Sequence, residues 1–188
     1  MTAALTVDAI DALEPDACEI ALAPLFEGAP AFLGRLCAAR PFRTDAGLFA
    51  AARAIAHAMP DADQVELVDA HPRLGAPAAS VSALSFVEQG YDRESAERAD
   101  AGANAEEEAA RLRLGAELEA LNGAYEARFG FRCCIFVAGR TRAEVVPDIR
   151  AALDADRATE LDRALDAVVD IAADRWAKRA GSRPGGLG

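Results

Sequence analysis

Histidine is scarce in this 188-residue chain, which has only His57 and His71. That scarcity excludes a histidine-rich metal centre, and no Cys/His/Asp cluster has the spacing zinc requires. The four cysteines, Cys18, Cys37, Cys133 and Cys134, form no CxxC pair. They are expected to be buried, reduced thiols serving as small core hydrophobes, which suits a cytoplasmic protein. No apolar run approaches the ~20 residues that a membrane span needs. Residues 1–10 carry Asp8 and no basic stretch, so they do not read as a secretory signal. The P-loop, the Rossmann glycine fingerprint and the GxSxG elbow are all missing. The net charge of -11 disfavours nucleic acid and anionic membrane surfaces as partners. A small anionic substrate held by a local arginine remains compatible with it. Chemistry in such a chain is expected to be acid–base and electrostatic, without metal or cofactor.

The chain is rich in alanine, glutamate, arginine and leucine, which favour helix. Strand signals are few, the best being Cys133-Cys134-Ile135-Phe136-Val137, which reads equally as a buried helix or an extended connector. The expectation is an all-α single domain over residues 1–180, a multi-helix bundle, with a flexible tail over 181–188. Helices are predicted over 7–13 and 16–25, the latter with Ile20, Leu22 and Leu25 inward. Pro30 opens a third, with Phe32, Leu33, Leu36 and Cys37 on one face. Arg40-Pro41-Phe42 interrupts it. A fourth follows Thr44 with the stripe Leu48, Ala52, Ile55 and Met59, and a fifth covers 61–69 with Val65 and Leu67. Helix is expected again over 81–91 and over 95–129, where Leu112, Leu114, Leu118, Leu121 and Tyr125 are spaced for one face. Gly130 closes that segment. Thr141 with Glu144 resembles a capping box, and Pro147 either sits inside the helix it opens or, as the preferred reading, marks a first turn that begins later than Thr141. The last helix is expected over 158–180, with Leu161, Leu165, Val168, Val169, Ile171, Ala172 and Trp176 inward.

Three places in the sequence carry candidate chemistry. His57 sits mid-helix among alanines and reads as structural or solvent-facing. His71 falls at a break directly before Pro72, near the start of whatever helix follows. It is either a turn histidine or one aimed at a pocket. Ser85, Glu88 and Gln89 share one helical face within an apolar segment. They suit a urea-like ligand, or else Ser85-x-x-Glu88 is a capping box that merely starts a helix. Arg175 adjoins Trp176, the only tryptophan. It is either a fork for a ligand oxygen or a snorkelling surface arginine. Arg73 and Arg140 are weaker candidates.

Several of these segments occur together in one known family. Ala70-His71-Pro72-Arg73-Leu74-Gly75 resembles A-H-P-x-L, and Ser85-Phe86-Val87-Glu88-Gln89 resembles S-x-x-E-Q. Leu121-Asn122-Gly123-Ala124-Tyr125 with Arg128-Phe129-Gly130-Phe131 resembles L-N-x-x-Y-x-x-[KR]-F-G-F. Phe26-Glu27, Arg40-Pro41-Phe42, Ile149-Arg150, Glu160 and Ile171 to Trp176 match further positions in order. The ordered set, over about residues 5–180, resembles the 2-oxo-4-hydroxy-4-carboxy-5-ureidoimidazoline (OHCU) decarboxylases. The resemblance implies an all-α fold, a homodimer, no cofactor, and conversion of OHCU to (S)-allantoin in urate breakdown. It implies catalytic roles for His71, Glu88 and Arg175. It implies substrate contacts from Pro72, Ser85, Gln89, Phe131 and the Ile135 backbone. Two departures stand out: Arg132-Cys133-Cys134 replaces an apolar stretch, and Trp176 replaces leucine. The alternatives are a related lyase acting on another ureido or imidazoline acid, and a non-catalytic helical binding or scaffold dimer.

Overall fold

A computed structural model describes residues 5–92 and 105–181. The chain divides into two compact units, one of Met1–Ala70 with Leu165–Gly188, the other of His71–Ala164. All regular structure among the described residues is helical. None of these helices is long and apolar enough to cross a membrane.

The first unit begins with α1 (Val7–Asp11), capped by the Thr6 hydroxyl, and α2 (Pro15–Leu22), which has proline in its first turn. A 3-10 turn, Ala23–Leu25, follows. The predicted helix over 16–25 therefore changes character at its end, because Pro24 has no amide to donate. Then come α3 (Pro30–Ala38), α4 (Asp45–Ala58), capped by Thr44, and α5 (Asp61–Asp69). Helix α3 packs against α2, α4 and α5. It buries Phe32, Leu33, Leu36 and Cys37, the face expected from its spacing. Leu48, Ala52 and Met59 are buried as expected, while Ile55 and Val65 lie at half-buried positions.

Two expectations fail in this unit. Ile20 is 75% exposed rather than inward. The covered face of α2 carries Cys18 and Leu22, and a residue two positions from each is turned about 200° away. Cys18 and Cys37 are not free thiols but form a disulfide, with Cα atoms 6.0 Å apart. Their separation of 19 residues gives no local signal. The pairing arises because α2 and α3 lie against each other with both sulfurs inward. The compartment inferred from reduced thiols loses that support. Cys133 and Cys134 are free and buried, as expected.

The second unit contains α6 (Ala83–Glu88), α7 (Ala105–Phe129) and α8 (Arg142–Ala152). It also contains the opening turns of α9 (Arg157–Gly181), whose remainder belongs to the first unit. The 95–104 part of the predicted acidic helix lies outside the described residues. The buried line of α7 is Leu118, Asn122, Tyr125 and Phe129. Leu112, expected inward, is 67% exposed. It sits about 120° around the helix from Leu118. Gly130, with φ 79°, ends the helix as predicted. Residues 132–137 form a connector that is neither helix nor strand. Tyr125, Phe129 and Phe131 form an aromatic cluster with ring centroids 4.7 to 5.9 Å apart.

Helix α8 starts at Arg142, with the Thr141–Glu144 capping box formed, and Pro147 lies inside it. The later start inferred from Pro147 is therefore incorrect. The proline forfeits one bond to the Ala143 carbonyl, while the box and buried Val145 and Val146 hold the turn before it and buried Ile149 the turn after. In α9, Leu161, Leu165, Val168, Val169, Ala172 and Trp176 are buried as predicted, and Ile171 is half-buried. The tail predicted over 181–188 lies, from residue 182, outside the described residues.

Candidate active site

His71 stands where α5 has just ended, at the entry to an irregular 71–75 loop in the second unit. Its side chain is buried, at 4% exposure for the residue, a place where an imidazole costs free energy unless its surroundings serve it. Pro72 beside it is half-buried.

Polar side chains from three directions fasten this loop. The Gly75 amide donates to Gln89 Oε1 at 2.8 Å, and Gln89 Nε2 donates to the Arg73 carbonyl at 3.2 Å. Asn122 Nδ2, from α7, donates to the Leu74 carbonyl at 2.9 Å. Arg73 forks onto the Glu126 carboxylate, with Nε to Oε1 at 2.6 Å and Nη2 to Oε2. Arg132 Nη1, from the connector, donates to the His71 carbonyl at 3.2 Å. Gly75 is required twice over at the loop's end. Its φ of 82° disfavours side chains, and a Cβ there would meet Leu118 Cδ1 at 3.0 Å.

Helix α6 presents the Ser85, Glu88 and Gln89 group. The capping box considered for Ser85 is not what starts this helix. Ser82 is the cap, its hydroxyl accepting from the Ser85 amide. Ser85 is thereby left inside the first turn, buried at 3%. Glu88 is half-buried, and Gln89, at the C-cap, is buried. The two bonds made by Gln89 leave its amide one N–H and one lone pair for anything else.

The connector supplies Phe131, buried against the aromatic cluster, and Ile135, half-buried. A charged network lies beneath it. Tyr125 Oη donates to Glu160 Oε1 at 2.5 Å, and Arg163 Nε donates to the same oxygen at 2.8 Å. Arg163 Nη2 donates to the Cys134 carbonyl at 3.1 Å. Burial, reinforced by the Glu160 hydrogen bond, raises the Tyr125 pKa far above the usual phenol range. Burial also pushes the Cys133 thiol up to about 12, so it stays protonated at neutral pH. Desolvation opposes the Arg163 charge, but the Glu160 contact outweighs it and holds the guanidinium charged.

Seven of the eight expected site residues therefore lie in the second unit. The contacts described bring His71, Gln89 and the connector together. Arg175 belongs to the first unit. Its side chain is 1% exposed and donates from Nη1 to the Pro24 and Leu25 carbonyls, both at 3.1 Å. Its Nη2 donates to Glu27 Oε1 at 2.8 Å. Glu27 holds a φ of 53°, unfavourable for a side-chain-bearing residue, so this ion pair pins a strained turn. His57, on α4, bonds Asp166 at 2.9 Å in a partly exposed cluster with Arg53, consistent with a structural histidine.

Asn122, Arg132, Glu160 and Arg163 shape the site without having been read as part of it. Asn122 had a visible signal, a polar residue in register with Leu118 and Tyr125 on a buried line. Arg132 had none, because its acceptor is a main-chain carbonyl distant in sequence, while the only local signal for Arg163 was Glu160 three residues before it on the same helix. Among the described residues no group of three His, Cys, Asp or Glu side chains is placed to hold a metal.

Comparison with known proteins gives the arrangement its family. Among solved structures, the chain is similar to one of (S)-allantoin synthase, at 19% identity and a TM-score of 0.60. That match covers 93% of this chain and 54% of that one, so this chain spans about half its length. It is also similar to a structure of OHCU decarboxylase in the presence of (S)-allantoin, at 22% identity and a TM-score of 0.60. Here 88% of this chain and 97% of that one are covered. These likenesses establish the all-α fold. No curated protein sequence matches the chain significantly. The family model for OHCU decarboxylase matches residues 11–177, nearly the whole chain, and the chain belongs to the OHCU decarboxylase family.

Proposed function

We propose that this protein decarboxylates OHCU to (S)-allantoin in urate breakdown, without a cofactor, as a cytoplasmic homodimer in which residues 1–180 act as one functional domain. The observation that carries this reading is the family match over 11–177, joined to a buried His71 on a loop fastened by polar contacts.

In the reaction, the bond from ring carbon C4 to its carboxylate breaks and CO2 leaves. The electron pair forms a C4=C5 double bond, and the nitrogen of the former ring C=N takes up a proton. The enol then loses its hydroxyl proton as C5 gains one, on a single face. His71 takes the hydroxyl proton or returns one to carbon. Such acid–base work is typically worth ~10² to 10⁴-fold, and imidazole suits it because its unperturbed pKa lies near neutrality. Glu88 accepts from substrate N–H or hydroxyl groups. Ser85 reads the ureido group, with the N–H that Gln89 retains. Pro72, Phe131 and the Ile135 backbone form the wall.

Arg175 carries two readings. The resemblance implies a cation facing the developing oxyanion. Its observed partners favour a clamp on the 24–27 turn, with its charge matched by Glu27.

The test generates OHCU in place from urate, with urate oxidase and hydroxyisourate hydrolase, and follows circular dichroism. Protein-dependent appearance of the (S)-allantoin signal supports the reading. Slow racemic product, unchanged by the protein, sinks it. Sedimentation of the purified protein reads the homodimer.

A further inference from the structure

We propose that Arg132 is a positioning residue for His71. The inference rests on the catalytic reading of His71 given above, and Arg132 falls within the segment where this chain departs from its family's usual apolar residues.

Arg132 is flanked by anchored neighbours. Phe131 is packed among Tyr125 and Phe129, and Cys133 is buried on its other side. One residue further on, Arg163 holds the Cys134 carbonyl from α9. The backbone that carries Arg132 is thus fixed on both sides. From that base its guanidinium donates to the His71 carbonyl at 3.2 Å. This carbonyl lies beyond the end of α5 at Asp69, in the irregular loop. The residue after it is Pro72, which has no N–H with which to tether the chain.

The other fastenings of the loop act on residues 73, 74 and 75. Arg132 acts on His71 itself. It therefore sets where the imidazole sits relative to the connector that carries Ile135. A planar guanidinium suits the task better than an ammonium, since its donors are fixed in one plane. The chemistry calls for such control, because protonation of one face of the enol tolerates little displacement of the acid.

The test uses the full chain with Arg132→Gln and Arg132→Lys, read in two ways. The first is nuclear magnetic resonance of the imidazoles. The chain has two histidines, so two sets of ring signals arise, and His57 serves as an internal reference. Arg132→Gln is expected to shift or broaden the His71 signals and leave those of His57 in place, with Arg132→Lys intermediate. The second is turnover. For Arg132→Gln, kcat is expected to fall about 10- to 100-fold, the scale of a misplaced catalytic group. KM should stay within about twofold. The excess of (S)-allantoin over its enantiomer should drop as well.

Unchanged His71 signals in both variants would overturn the proposal. So would movement of both histidines together, which marks a general structural role. A raised KM with unchanged kcat would overturn it in favour of direct substrate contact. Because the resonance readout needs no turnover, a wild-type protein without activity removes the functional reading and still leaves the placement of His71 decided.

Discussion

The 24–27 turn of the first unit and the 71–75 loop of the second are both irregular segments fastened by arginine, and they are fastened differently. Arg175 reaches the turn from α9, is almost wholly buried, and spends its charge on Glu27 and two carbonyls. The loop instead receives several separate contacts, from Gln89, Asn122, Arg132 and the half-exposed Arg73–Glu126 pair. One deep anchor concentrates stability in a single ion pair. Several separate tethers, some of them buried, each contribute less energy than the ion pair, but together they restrict where a histidine can stand. The first unit is accordingly expected to respond to mutation in its melting, and the second in its catalysis.

The largest effect comes from breaking the deep anchor. Arg175→Met strands Glu27 in a strained turn, and removing one partner of a buried pair typically costs about 3–5 kcal/mol. Calorimetric melting should show it. A melting temperature unchanged by Arg175→Met, with turnover lost, would overturn the clamp reading and leave the oxyanion reading in its place.

Next is the disulfide. Replacing Cys18 and Cys37 together by alanine should cost about 3 kcal/mol, the scale for a loop of this length. Thiol titration offers a direct count. The native protein should react slowly, because Cys133 is buried and protonated. Unfolding without reductant should expose two thiols, and four would show that the bond does not form.

Asn122→Ala cuts one tether of the loop. Losing a buried hydrogen bond of this kind costs about 1–2 kcal/mol. Turnover should suffer more than melting does, which separates the loop from the turn.

The smallest effect concerns pH. Asp156 accepts from the Thr159 amide and hydroxyl at the start of α9, and these bonds hold its carboxyl below the ordinary value. A depressed folded pKa adds stability above the unfolded value of about 4, which is lost as pH falls through the folded one. Asp156→Asn should therefore lower the melting temperature slightly at neutral pH, leave it unchanged at acid pH where the native carboxyl is protonated, and so flatten the acid limb of the melting profile.

Much of this arrangement was legible in the sequence. Helical periodicity located α3, α4 and α5 and their inward faces, because apolar spacing is a local property. The ordered motifs pointed to His71, Ser85, Glu88 and Gln89 as one group, and of these the contacts described join Gln89 to the loop that carries His71. Ile20 and Leu112 were misjudged because a hydrophobic residue on a helix need not lie on its covered face. The Cys18–Cys37 bond depends on the packing of α2 against α3, which no spacing within 19 residues reveals. The tethers from Arg132 and Arg163 end on main-chain carbonyls, and main-chain acceptors leave no mark in residue identity. The Asn122 and Tyr125 positions of the family motif were visible but unexplained. They now read as supports, one for the loop and one for the network under the connector.

The most direct test of the central claim is circular dichroism of OHCU turnover by the wild-type protein and by His71→Ala, run side by side with matched melting curves. The account predicts fast formation of (S)-allantoin by the wild type, and a loss of at least about 100-fold in the variant. A variant that is folded and turns over at the wild-type rate would contradict it.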